Sequence, residues 1–224
     1  MRLFGLVAAS AILLTACGGT ADELGAASGL GAAASDAPAT VELTGTGFGQ
    51  RDEYVQGIAM VTTDDDKAVG EFVTVSMNFL DASGDIVGTS DQVESFSWVG
   101  QDLVLPVWHS LSAGVEVVEV DASVSISDYG RSSEDVDPLE TVESREIRAD
   151  QFGRTALFEL TNPTDSDLEN ARIGVVCYDV DGSIIGGASE YPNLIAASKS
   201  ILLESAVLTS GEPENCIAYP NYGA

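Results

Sequence analysis

The 224-residue chain is poor in bases. Nine Lys and Arg stand against 36 Asp and Glu, a formal net charge of −27. Every phosphate contact would be made against that field, which excludes nucleic acid as a partner. Histidine is nearly absent: His109 is the single one, and with three cysteines it cannot supply a His-rich metal site or a zinc ribbon. No uncharged apolar run reaches the ~18–20 residues that a membrane-spanning helix needs, and no long stretch follows a helical period. Neither G-x-S-x-G nor S-x-x-K occurs, so the familiar settings of a nucleophilic serine are missing. At 45% hydrophobic and 7% aromatic residues, the chain is nonetheless equipped to fold rather than to stay disordered.

The N terminus points to a compartment. Arg2 precedes the uncharged, mostly apolar stretch from Leu3 to Ala16, which is too short to cross a bilayer and suits the core of a secretory signal. The stretch ends in Leu14-Thr15-Ala16-Cys17, which resembles a bacterial lipobox. That resemblance implies lipid transfer to the Cys17 thiol and cleavage before it, so residues 1–16 are read as a lipoprotein signal peptide. The chemistry requires a thiol because the thiolate is the nucleophile. Acyl chains, at ~0.8 kcal/mol per buried CH₂, would then hold the protein on the membrane. Residues 17–40 form the lipidated N terminus and a tether rich in Gly, Ala and Ser, with an r.m.s. reach of roughly 25 Å. The expected location is the outer face of the bacterial cytoplasmic membrane, with the membrane held through the lipid while anionic headgroups repel the acidic body.

From Val41 onward the period is two. Val73, Val75, Met77 and Phe79 alternate with polar residues, as do Val118, Val120, Ala122, Val124 and Ile126, and later Ile173, Val175 and Cys177. Such alternation predicts strands with one buried face, and the closely spaced turn signals predict an all-β sandwich. The chain also repeats itself: Leu80-Asp81-Ala82-Ser83-Gly84-Asp85-Ile86-Val87-Gly88 matches Tyr178-Asp179-Val180-Asp181-Gly182-Ser183-Ile184-Ile185-Gly186 at an offset of 98 residues. That offset suits tandem β-sandwich domains, expected at 41–136 and 137–224, with the boundary in the charged stretch 131–140. Strand, Tyr/Leu-Asp, glycine turn, apolar pair and glycine together resemble the FxLYD domain, an immunoglobulin-like module of prokaryotic envelope proteins. The eponymous pattern stands here as Met77-Asn78-Phe79-Leu80-Asp81 and as Val175-Val176-Cys177-Tyr178-Asp179. The resemblance implies two tandem Ig-like domains and an envelope setting, and brings no catalytic residues.

Single sites read modestly. Gly45-Thr46-Gly47-Phe48-Gly49 lacks the spacing and the following helix of a dinucleotide loop and reads as a flexible first strand. Asp64-Asp65-Asp66 and Asp179-Val180-Asp181 lack the remaining ligands of an EF-hand and read as a solvated connection and a type I′ turn at Asp181-Gly182. His109 has no nucleophile and orienting acid in any recognisable pattern and reads as structural. Phe96, Trp98 and Trp108 read as core aromatics, with a continuous surface patch around the two tryptophans as the alternative. With Cys17 lipidated, Cys177 and Cys216 remain in an oxidising compartment. Cys177 is in phase with Ile173 and Val175, Cys216 with Ala218, so a buried inter-strand disulfide is expected, matched in the first repeat by Phe79 and Val118. The expected function is a non-enzymatic, lipid-anchored protein-interaction or structural module of the cell envelope with an envelope protein partner, no catalytic residues, no metal and no cofactor. The alternative is a ligand-binding or sensory lipoprotein holding a small solute or calcium between or on its β domains.

Overall fold

Where apolar and polar residues alternate, the backbone is extended and hydrogen-bonded into sheets. The computed structural model describes residues 38–127 and 136–222. The signal peptide, Cys17, the tether up to residue 37 and the first half of the 131–140 stretch lie outside the described residues. From Pro38 onward the chain packs as one compact unit. In it Ala39 already rests on the first core, and Thr63 Oγ1 donates to Thr40 O at 2.7 Å.

The described protein is all-β, with one 3-10 turn at Asp66–Ala68. Its first half contains β1 (Glu42–Arg51), β2 (Tyr54–Thr62), β3 (Phe72–Leu80), β4 (Ile86–Ser95), β5 (Leu103–Ser110) and β6 (Glu119–Ile126). Its second half contains β7 (Val142–Glu143), β8 (Glu146–Asp150), β9 (Gly153–Thr161), β10 (Leu168–Glu169), β11 (Arg172–Tyr178), β12 (Ile184–Glu190), β13 (Leu194–Ile195), β14 (Ser200–Thr209) and β15 (Asn215–Asn221). The first half forms two three-stranded antiparallel sheets, ordered β1-β2-β5 and β4-β3-β6. The second half repeats both orders as β8-β9-β14 and β12-β11-β15. There, Gly186↔Thr209 and Gly187↔Leu208 join the two into a single seven-stranded sheet with β7 outside β15.

The sequence repeat is a repeat of atoms. Both motif hairpins carry a bulge at the same place, between Phe79 and Leu80 and between Cys177 and Tyr178. In both turns the first Asp accepts twice: Asp81 Oδ1 from the N–H groups of Ser83 (2.8 Å) and Asp85 (3.1 Å), and Asp179 Oδ1 from those of Asp181 (2.9 Å) and Ser183 (2.8 Å). Gly84 and Gly182 both sit at φ +80°, closing the turn by donating to Asp81 O and Asp179 O. This corrects the type I′ expectation. Asp181 has no positive φ, and the loop is a three-residue turn whose last position needs glycine. The shared Asp is therefore an Asx cap for the turn.

Each half has its own core. Val73, Val75, Met77 and Phe79 are fully buried in the first, and Val175 and Cys177 in the second. Cys177 and Cys216 are directly opposed on β11 and β15 and form a disulfide, Cα–Cα 4.0 Å, with both residues fully buried. The first-half counterpart of this pair is Phe79↔Val120, two residues from the expected Val118, which is 54% exposed just before β6.

The halves meet along a third apolar cluster of Ile58, Val104 and Val176, flanked by Met60, Tyr178, Ile184 and Tyr219. This explains why β2 and β11 are buried at consecutive positions instead of alternate ones. Val55, Ala59 and Val61 face the first core while Ile58 faces the second half; Ile173, Val175 and Cys177 face the second core while Val176 faces the first half. The glycines of β1 belong to the same contact. A Cβ at Gly47 would collide with Ile184, and one at Gly49 with the backbone of Leu208 and Thr209. The Gly45–Gly49 segment is thus a close-packed strand rather than a flexible one, because another backbone occupies the space of the missing side chains.

Candidate interaction surface

The three aromatics singled out in the sequence go to three places. Phe96 is 1% exposed in the first core. Trp98 precedes β5 and packs edge-on against Tyr222 (6.1 Å) beside the second core. Trp108, near the other end of β5, is 54% exposed. The two tryptophans therefore do not share a patch. Trp108 instead has Tyr54 as its neighbour. The register pairs Tyr54 with Ser110 and Gln56 with Trp108, which makes Tyr54 and Trp108 diagonal neighbours on one face, and their rings stack at 5.5 Å and 27°.

The second half completes the surface. Asp150 Oδ1 accepts from the N–H groups of Phe152 (2.7 Å) and Gly153 (3.2 Å), fixing the two-residue turn between β8 and β9. That turn holds Phe152 76% exposed. The Arg51 guanidinium donates to Phe152 O and occupies the space a side chain at Gly153 would need. Between the two hairpins lies a groove of about 300 Å³, whose lining includes Arg51, Trp108, Phe152, Arg154 and Leu208, together with Asp150, whose Oδ1 is taken up by the turn's N–H groups. Arg145, Arg148 and Arg172 are paired with glutamates. By contrast, Arg51 and Arg154 have no carboxylate within 4.0 Å among the described residues, and Arg154 donates only to Thr209 Oγ1 at 3.4 Å. The surface thus combines Trp, Tyr and Phe with two guanidinium groups that have no carboxylate partner among the described residues of a strongly acidic protein. It lies at the end of β1 away from Pro38, about 30 Å along the strand at ~3.3 Å per residue. A second, wider depression at this end is lined by Asp52, Glu53 and Glu116 and has the opposite charge.

The junction between the halves offers less space. Its cavity, beside the Glu94–Arg172 ion pair and Tyr191, is about 20 Å³, room for roughly one water. Around it Asn221 Oδ1 accepts from Ser97 Oγ (2.7 Å) and Gln101 Nε2 (3.0 Å), while Asn221 Nδ2 donates to Ser95 O (3.1 Å). The buried amides are thereby satisfied, as a stable polar seam requires. Nearby, the Tyr178 and Tyr219 hydroxyls are 3.1 Å apart. Burial, reinforced by the negative charge of Asp102, holds both phenols protonated above the usual tyrosine range. A group whose folded pKa is raised contributes stability that is complete below its unfolded pKa and is lost above it. Tyr222 is raised too, by burial and then by the charge of Asp137. Stability should therefore hold up to about pH 10 and fall beyond it, with Tyr178, Tyr219 and Tyr222 ionising late in an ultraviolet phenolate titration. A titration in which no tyrosine ionises late would contradict this arrangement.

The remaining sequence candidates serve the scaffold. His109 Nδ1 is hydrogen-bonded to Ser90 Oγ (2.8 Å), its ring stacks on Phe79 (5.6 Å), and it fills the space beside Gly88. Asp65 Oδ1 accepts from Lys67 N (3.1 Å) and its Oδ2 from Thr40 N (3.2 Å). Sequence reasoning passed over Arg51, Tyr54, Phe152 and Arg154. One signal was present: Phe152 stands 98 residues after Tyr54, between turn-forming Asp150 and Gly153, where an aromatic has no core to enter.

No protein-family model matches the chain, and no curated protein matches it either.

Proposed function

We propose that the protein is a non-enzymatic, lipid-anchored interaction module on the outer face of a bacterial cytoplasmic membrane. In this reading residues 1–16 are removed, Cys17 carries the lipid, and residues 41–136 and 137–224 are two FxLYD-like, Ig-like β-sandwich domains. The repeated strand orders and repeated Asx-capped turns support the tandem-domain reading. The lipobox supports the anchor. The observation that carries the interaction role is the exposed Tyr54–Trp108–Phe152 surface, since monomeric proteins seldom leave large aromatics clustered in water without a partner.

Two measurements test this reading. Mass spectrometry of membrane-extracted protein should find an acylated N-terminal cysteine, and Cys17→Ser should leave unprocessed precursor or release the protein from membranes. An unmodified Cys17 in a mature, membrane-associated protein would rule out the anchor. Photo-crosslinkers placed in intact cells at several exposed positions, including Val180, Leu202 and Phe152, should join the protein to at least one envelope protein; their uniform failure would remove the interaction role.

A further inference from the structure

Resting on that interaction reading, we propose that the groove between the β1–β2 and β8–β9 hairpins binds a short extended peptide segment of a protein partner, one that places a carboxylate beside a large apolar or aromatic side chain. The groove's size sets the first limit. About 300 Å³ is at the small end of ligand sites and admits one or two side chains. Its composition sets the second. Trp, Tyr and Arg are the residues in which interface hot spots are enriched, and Trp108, Tyr54, Arg51 and Arg154 stand together here. Charge sets the third. Among the described residues Arg51 and Arg154 have no ion-pair partner, although the chain has four acids for every base; the groove's own Asp150 turns its Oδ1 to the N–H groups of Phe152 and Gly153 instead. A carboxylate placed between them supplies a charge-assisted, bidentate-capable contact that none of the described residues provides.

Other occupants fit less well. A second copy brings another −27 body, and the two repel. An anionic membrane surface meets the same repulsion. A long polyacid would be repelled as well. One or two carboxylates seated on the arginines lie within the ~8 Å Debye length, inside which the local charges dominate. The groove also draws its lining from both halves, Arg51 and Trp108 from the first and Phe152, Arg154 and Leu208 from the second. The specificity would thus belong to the joined molecule.

The test uses the full chain and synthetic peptides measured by calorimetry. A peptide with Phe flanked by Asp should bind. Replacing its Asp by Lys, or its Phe by Ala, should weaken binding at least tenfold, as should Trp108→Ala or Arg51→Gln/Arg154→Gln in the protein. Higher salt should weaken the wild-type complex. Equal binding of the Lys peptide, no binding of any peptide, or binding of chito-oligosaccharides or anionic vesicles in their place would overturn the proposal. Circular dichroism of each variant, unchanged from wild type, keeps loss of binding distinct from loss of fold. In cells, a photo-crosslinking phenylalanine analogue at position 152 should capture an envelope protein while one at Val180, 79% exposed, should not. Capture at 180 and not at 152 would sink the groove and leave the interaction role standing; no capture anywhere on the surface would sink that role itself.

Discussion

Gly49→Ala is expected to destabilise the protein by about 3 kcal/mol or more, a large share of the ~5–15 kcal/mol typical of a domain. The added Cβ would lie well inside the 3.0 Å below which Cβ contacts essentially do not occur, and its nearest neighbours are Leu208 O and the Thr209 backbone. A flexible side-chain tip could swing away, but these are main-chain atoms of β14, fixed by pairing with β9 and β12. Relief requires β1 to move off the second half. That movement would strain the bond from Gln50 N to Ser210 Oγ (3.1 Å) and open the Ile58–Val104–Val176 cluster. Gly211→Ala is the control. There a Cβ meets nothing closer than Ile185 Cδ1 at 3.8 Å, and the change should stay within about 0.5 kcal/mol. Urea denaturation of the two variants separates the cases; equal midpoints would mean that the halves are not packed this closely.

Removing the disulfide should have a comparable effect by a different route. The bridge closes a sequence separation of 39 residues, which the chain-entropy model values at ~4 kcal/mol, exerted on the unfolded chain. Cys177→Ala/Cys216→Ala should lose that constraint and add a packing loss, because both cysteines are fully buried in the second core. Reduction without mutation should lose the constraint alone. Oxidised and reduced protein compared in denaturant, with the double variant alongside, should rank in that order. Identical stability of oxidised and reduced protein would show that the bridge contributes nothing. The first half manages the same place with Phe79 against Val120, so the repeat itself does not demand a covalent link. The buried position also shields the bond from soluble reductants.

Much of this was legible in the residues. Period-two alternation located the strands at Val73–Phe79 and Ile173–Cys177 and the faces they bury, because a strand's side chains have only two directions to take. The 98-residue offset marked two copies of one strand order, since identical turns need the same Asp cap and the same left-handed glycine at Asp81–Gly84 and Asp179–Gly182. The phase of Cys177 and Cys216 indicated the disulfide. Where gaps enter, the offset slips: Val118 is exposed and Val120 takes its place.

The sequence by itself thus determined what local geometry enforces: the all-β class, the repeated turns, the first core strand and the pairing of Cys177 with Cys216. Only the tertiary structure decided what depends on the meeting of distant segments. The β1 glycines read as flexibility until Ile184 and Leu208, more than 130 positions away, occupied their empty side. The consecutive burial of Val55–Ala59 and Ile173–Cys177 needed a second face to bury against, and one sequence repeat considered alone has no second face. The candidate site depends on the same contact. Arg51 and Phe152 are adjacent only because two repeat-related hairpins lie side by side, and pairwise proximity across about 100 residues is written in no local pattern.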